Sequence, residues 1–278
     1  MLDKIQNKIL FVIPNLNPLI SVSITIIASL YIFWKLCSRT RKNNSSVFDT
    51  YFIGSIFSIL FGRIAYIISN YSDFNKYIWY WLPYEKYGDE IFLFRLLPWR
   101  FFRIWDLGLE VLFLCVGLLI GCTYWVIFGK KWKWSHLYIA IYASGYILLL
   151  LSIIGIGKFT NNTFWFSQGI IMLILFLVWS LLRSIFIKVI IGIKEMKILL
   201  ITDTIFIVLS SLLVIRMYML SELSLVEKVG IMSFIAWTSI GLFYHITDTN
   251  KATVVIEKVS SVRQVSVNDI RQQIRSRK

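Results

Sequence analysis

The stretch HLYIAIYASGYILLLLSIIGIG, residues 136–157, runs for 22 positions without an Asp, Glu, Lys or Arg. Wound as a helix at 1.5 Å per residue it reaches about 33 Å, which matches the roughly 30 Å hydrocarbon core of a bilayer. Six further stretches share its character: 19–36, 47–69, 106–128, 164–182, 198–220 and 229–246. Seven such segments predict an all-α, polytopic integral membrane protein with about seven transmembrane helices. The composition agrees, with 58% hydrophobic and only 16% charged residues in a chain of 278. A soluble globular domain carries about a quarter charged residues, and a disordered chain is far less apolar, so both classes are excluded.

The net charge of +14 acquires its meaning from where the cations fall. Loops on one side of the expected membrane domain, together with the C-terminal tail, hold 18 Lys and Arg, among them Lys35, Arg39, Lys130, Lys131, Lys133, Arg183 and Lys197. The other side holds nine, including Lys4, Lys76, Lys86, Arg103, Lys158 and Lys228. Cytoplasmic loops are enriched in cations, so this asymmetry predicts an external N-terminus and a cytoplasmic C-terminus. Residues 1–246 are read as the membrane domain. Residues 247–278 form a basic cytoplasmic tail, expected to lack fixed structure and suited to an anionic leaflet.

The longest external segment, 70–105, places 14 aromatic residues in 36 positions, mixed with Arg95, Arg100 and Arg103. Aromatic rings and snorkelling cations favour the headgroup level, so the segment is expected to lie in the outer interface as short amphipathic helices. The basic and aromatic stretches are thus assigned to lipid, and no nucleic-acid partner is expected. Cys37, Cys115 and Cys122 sit in or beside apolar runs at spacings that fit neither zinc nor a disulfide framework, and they are read as buried thiols. No metal and no cofactor is expected.

Ionisable residues within spans are costly and mark candidate sites. Arg63 lies six residues from the outer end of its span, Asp106 and Glu110 open the next one a turn apart, and Arg216 lies near the outer end of the sixth. All four therefore share a depth in the outer leaflet. Two arginines and two carboxylates at one depth suit an anionic lipid headgroup, with the guanidinium groups taking phosphate oxygens, or else an internal salt-bridge network. Asp203, near the inner end of the sixth span, fits neither arrangement. His136 and His245 map to cytoplasmic ends, away from such a site.

The stretch FGRIAYIISNYSDF (61–74), followed by RFFRIWDLGLE (100–110), resembles the bacterial prolipoprotein diacylglyceryl transferases. The matching positions are Gly62, Arg63, Ile64, Tyr66, Asn70, Arg103, Ile104, Trp105, Asp106 and Gly108, with Ala65 in place of a glycine. The resemblance implies a bacterial plasma-membrane enzyme that moves the diacylglyceryl group of phosphatidylglycerol to a lipobox cysteine of a prolipoprotein at the outer leaflet. On that reading Arg63, Glu110 and Arg216 are the candidate catalytic residues. Tyr66, Asn70, Arg103, Asp106, Lys158, Asn161, Ser167 and Gln168 are candidates for lipid binding. The sequence departs from the family where the chemistry lies: the histidine of that family aligns with Leu112, its later arginine with Gly155, and a glutamate following Ser167 and Gln168 is missing. The alternative is a noncatalytic lipid-binding or accessory protein on the same scaffold.

Overall fold

A computed structural model describes residues 18–38, 43–72, 84–87, 89–93, 109–189, 193–220 and 224–276. Among them seven helices follow one another: α1 (Pro18–Cys37), α2 (Asn44–Ser69), α3 (Val111–Tyr124), α4 (Trp134–Phe159), α5 (Thr163–Val189), α6 (Ile193–Met219) and α7 (Leu225–Ser276). Six are long and apolar enough to cross a bilayer, and α1 contributes a shorter apolar stretch over Ser23–Cys37. The fold is therefore that of a multi-pass, all-α membrane protein. Ile27, Phe52, Leu181, Ile201, Met232 and Phe243 are exposed along helix faces, where lipid rather than water is the favourable neighbour.

The quoted stretch 136–157 occupies most of α4, and every residue from Leu137 to Leu150 is buried. Around it stand α1, α3, α5 and α7. Three tyrosines spaced four apart use their hydroxyls to reach neighbours: Tyr138 donates to the Thr238 carbonyl at 2.9 Å, Tyr142 meets the Ser210 hydroxyl at 2.6 Å, and Tyr146 donates to the Met172 carbonyl at 3.1 Å. Spacing by four puts them on one stripe, so α4 is fastened in turn to α7, α6 and α5.

The tightest pair is α2 with α3. Small residues Gly54, Ser58 and Gly62 repeat every fourth position on α2, and they face Gly117 and Gly121 on α3. A Cβ at Gly117 would stand 2.6 Å from the Phe57 carbonyl oxygen, and one at Gly121 would stand 3.0 Å from the Gly54 Cα. Without a hydrophobic driving force between helices in lipid, close backbone approach over small residues supplies the packing. Ser58 adds a hydrogen bond to the Leu114 carbonyl at 2.6 Å.

At its C-terminus α3 widens into a π-helical turn, Trp125–Gly129, in which the Lys130 N–H reaches the Trp125 carbonyl at 2.9 Å. This turn aims the Lys130 ammonium at Asp49 on α2, 2.9 Å away. At the same end, the Ser135 hydroxyl of α4 donates to the Asp248 carboxylate of α7, and His245 Nδ1 lies 3.1 Å from the Ser135 carbonyl.

Two expectations are revised. Within the aromatic segment 70–105, strands β1 (Tyr84–Tyr87) and β2 (Glu90–Leu93) pair as an antiparallel hairpin from Tyr84↔Leu93 to Tyr87↔Glu90, where amphipathic helix was expected. Tyr, Ile and Phe favour a pleated surface, and the Gly-Asp dipeptide between the runs is a hairpin signal, so local β preference prevails. The basic tail is also not a loose appendage, since α7 continues as one helix of 52 residues, about 78 Å, to Ser276. Its backbone passes position 246 without a break, because the sequence there holds neither glycine nor proline to stop it. Cys37, Cys115 and Cys122 are buried and are not joined in disulfides.

Candidate functional site

The shared depth expected for Arg63 and Glu110 is matched by a backbone contact beside Arg63, where the Glu110 N–H donates to the Gly62 carbonyl at 3.0 Å. Glu110 caps the start of α3 and stands just outside its apolar span. Arg63, next to Gly62, is only 5% exposed and holds its guanidinium carbon 5.5 Å from the centre of the Tyr66 ring. That geometry suits a cation–π contact, which gains strength away from water. Asn70 ends α2, its side-chain amide donating to the Tyr66 carbonyl at 2.9 Å.

On the other flank, α7 begins with a capping box. The Glu227 carboxylate accepts from the Ser224 N–H at 2.9 Å while Glu227 N–H donates to the Ser224 hydroxyl at 3.2 Å. Burial, followed by the Glu227 carboxylate, pushes the Glu110 carboxyl above its ordinary value of 4.5, against a smaller opposing effect of the Ser69 hydroxyl. A carboxyl so raised holds its proton longer and is a better base once it has lost it.

Between these elements lies a crevice of about 330 Å³, lined by Phe61, Ile64, Ala65 and Ile68 of α2, Phe113 of α3, and Leu225, Val226 and Val229 of α7. Every lining side chain is apolar. Ile64, Ile68, Leu225 and Val229 are exposed, so the crevice opens sideways toward the hydrocarbon. Sequence reasoning did not find it, because its walls come from three separate segments, the third more than a hundred residues beyond the other two.

Arg216 does not join this group. It is exposed on α6, whereas Tyr218, two residues on, is buried with Trp165 stacked edge-on at 5.9 Å. Two residues on a helix are about 200° apart, so the two side chains leave α6 on opposite faces. Leu112, at the position where the resembling family has its histidine, is 1% exposed and lies against α7, where a Cβ on Gly230 would come within 2.8 Å of it. A side chain there faces the bundle interior. Arg103 and Asp106 lie outside the described residues.

Lys158, Asn161, Ser167 and Gln168 belong to the α4–α5 connection. Asn161 takes a left-handed backbone conformation, φ 50°, which Asn tolerates, and Asn162 caps α5 by accepting from the Phe164 N–H at 3.0 Å. Ser167 donates back to the Phe164 carbonyl at 2.8 Å, and a Cβ on Gly157 would stand 2.4 Å from the Phe166 nitrogen. The matched positions in this segment thus have local duties in a tight helical hairpin.

Asp203, unplaced by sequence, accepts from the Trp179 indole at 3.0 Å and forms an ion pair with Arg183. The clue available in sequence was the Trp179–Arg183 spacing of four, which puts both on one face of α5. Among the described residues no group of three or more His, Cys, Asp or Glu is arranged to hold a metal ion. No protein-family model, curated protein or solved structure matches the chain.

Proposed function

We propose that this protein binds a glycerophospholipid where α2, α3 and α7 meet, seating acyl-chain carbon in the crevice beside Arg63 and Glu110, and that it serves as a noncatalytic or accessory lipid-binding protein. The carrying observation is the crevice itself: an entirely apolar lateral recess of about 330 Å³ suits hydrocarbon and offers nothing to a polar solute. Arg63, a buried cation next in sequence to the lining residue Ile64, favours an anionic lipid such as phosphatidylglycerol. The cation asymmetry supports an external N-terminus, a cytoplasmic C-terminus and a place for this crevice in the outer leaflet. Val229→Trp fills the recess from its exposed side, and Arg63→Gln removes the cation. Native mass spectrometry of the protein after delipidation and titration with phosphatidylglycerol should show weaker retention in both variants. Retention equal to wild type in Val229→Trp would refute the assignment.

A second reading is favoured by the position of Glu110 at the start of α3, three residues before the crevice-lining Phe113, where burial raises its carboxyl. It is that of a diverged diacylglyceryl transferase of the bacterial plasma membrane, supported by the motif resemblance around Arg63 and Asp106. On this reading the thiol of a lipobox cysteine of a prolipoprotein gives its proton to Glu110, its sulfur bonds the glyceryl carbon of the diacylglyceryl group, and the bond from that carbon to the phosphate oxygen breaks to release glycerol phosphate. Transfer of a labelled diacylglyceryl group to a lipobox peptide by wild type, lost in Glu110→Gln, is the outcome this reading requires. Activity surviving in Glu110→Gln removes the base.

A further inference from the structure

A second recess lies at the opposite end of the bundle, where Lys35, Lys130, Lys133 and Arg183 gather. It is a cavity of about 110 Å³ between α1 and α5 with a mixed lining: Lys35, Ser180, Arg183 and Ser184 supply the polar groups, while Ile32 and Phe176 supply apolar wall. It is roomy enough for ordered water or for one tetrahedral phosphate.

The arginine is prepared for such a group. One of its terminal nitrogens is held by Asp203, and its guanidinium carbon lies 5.4 Å from the Trp179 ring centre. Trp179 is fixed in turn by its indole bond to Asp203 and by stacking on Phe206 at 4.3 Å and 14°. Arg183 Nε is buried and has no hydrogen-bond partner. A donor of this kind, left unpaired in an apolar bundle, is costly, and an acceptor oxygen would satisfy it. Asp203 neutralises one positive charge, and Lys35 leaves the site with a net charge near +1. Next to the cavity the lipid-facing surface of α5 carries Ile174, Leu177, Val178 and Leu181, all exposed. A phosphate held between Lys35 and Arg183 would therefore have hydrocarbon-compatible surface running away from it.

We propose that this cavity binds the phosphodiester of an anionic phospholipid in the leaflet at the basic end of the bundle, with Lys35 and Arg183 taking phosphate oxygens, the Ser180 and Ser184 hydroxyls completing the shell, and the acyl chains lying along α5. Basic recesses between transmembrane helices are a recurrent solution for acidic headgroups. The site is separate from the α2–α3–α7 crevice and does not depend on the reading given there.

The test uses the full chain carrying Val229→Trp, so that the opposite crevice is filled. Delipidated protein is titrated with phosphatidylglycerol or phosphatidylcholine in mixed micelles, and bound lipid is counted by native mass spectrometry. Phosphatidylglycerol should be retained in preference to phosphatidylcholine. Lys35→Gln, which alters an exposed side chain and leaves the core intact, should weaken that retention about fivefold. Arg183→Lys keeps the charge opposite Asp203 but loses Nε and the fork, and it should also weaken retention. Lys133→Gln, an exposed cation at the same end but outside the cavity, should bind as its parent. The inference fails if Lys35→Gln and Arg183→Lys both bind as the parent, or if Lys133→Gln loses as much, which would mean bulk charge. It also fails if both lipids bind equally, or if 10-fold excess inorganic phosphate displaces the lipid, which would mark a soluble anion as the occupant.

Discussion

Gly117→Ala adds one carbon at the closest approach in the bundle. That carbon would lie 2.6 Å from the Phe57 carbonyl oxygen, 2.8 Å from the Ser58 Cα and 3.0 Å from the Phe57 carbonyl carbon. All three are backbone atoms and cannot rotate away. Comfortable contacts lie near 3.5–4.0 Å, so α2 and α3 must part by roughly 0.5–1 Å. Overpacking of this kind costs about 1–3 kcal/mol. Separation also stretches the Ser58–Leu114 hydrogen bond, which in a membrane protein is worth about 0.6 kcal/mol. Against this, Ala is the better helix former by about 0.8–1.0 kcal/mol. A net loss of about 1–2 kcal/mol remains, a factor of roughly 5–30 in the folded-to-unfolded ratio.

Gly230→Ala is the matched control. There the new carbon would meet the tips of Leu112 and Phe113, each at 2.8 Å, and these are side-chain atoms that turn aside. Its cost should be within about 0.5 kcal/mol of zero, since the helix-propensity gain offsets the crowding. Reversible unfolding of both variants in mixed detergent micelles, followed by tryptophan fluorescence, compares them directly. If Gly117→Ala matches wild type, or if Gly230→Ala is the more damaging of the two, the close-packed α2–α3 seam does not hold this end of the molecule together.

Two further outcomes are expected. Tyr142→Phe should cost only about 0.6 kcal/mol, and at most about 1.7, because Ser210 keeps its own bond to the Phe206 carbonyl at 2.6 Å when the phenol hydroxyl is gone; a larger loss of melting stability would mean the tyrosine stripe is a coupled network. In intact cells Lys86→Cys should react with a membrane-impermeant thiol reagent and Lys131→Cys should not, with the native Cys37, Cys115 and Cys122 silent because all three are buried; reaction at both positions contradicts the orientation drawn from the cation count.

Length along the membrane normal was legible in the sequence, and rotation about it was not. Hydropathy fixes where a helix enters and leaves the bilayer, so six of the seven expected segments end within seven residues of α1–α6, whereas α7 runs 30 residues past the expected end at 246. Lateral contacts depend on which face a residue occupies, and the strongest signal for that, small residues every fourth position from Gly54 to Gly62 opposite Gly117 and Gly121, carries no charge and no unusual chemistry to draw attention. The same limit hid the crevice, whose walls are Phe, Ile, Leu and Val like most of the chain. Asp203 was visible as a costly charge, yet its partner Arg183 had been counted only as a topological cation.

The difference between Arg63 and Arg216 shows what that limit does to a functional argument. Both lie near the same end of the bundle, and a reading by depth alone makes them equal partners for one phosphate. Arg63 is enclosed by α2 beside the Gly62–Glu110 backbone contact, whereas Arg216 is exposed on α6, with the buried Tyr218 on the opposite face. Arg216 is thus free to snorkel toward the headgroups, where its charge is met by water and bulk lipid at little cost. Arg63 has no such exit, and its charge must be balanced within the protein or by a ligand that enters beside it. On the lipid-binding reading proposed above, Arg63→Gln should therefore lower phosphatidylglycerol retention in native mass spectrometry while Arg216→Gln should leave it as in wild type, and equal loss in both would refute the distinction.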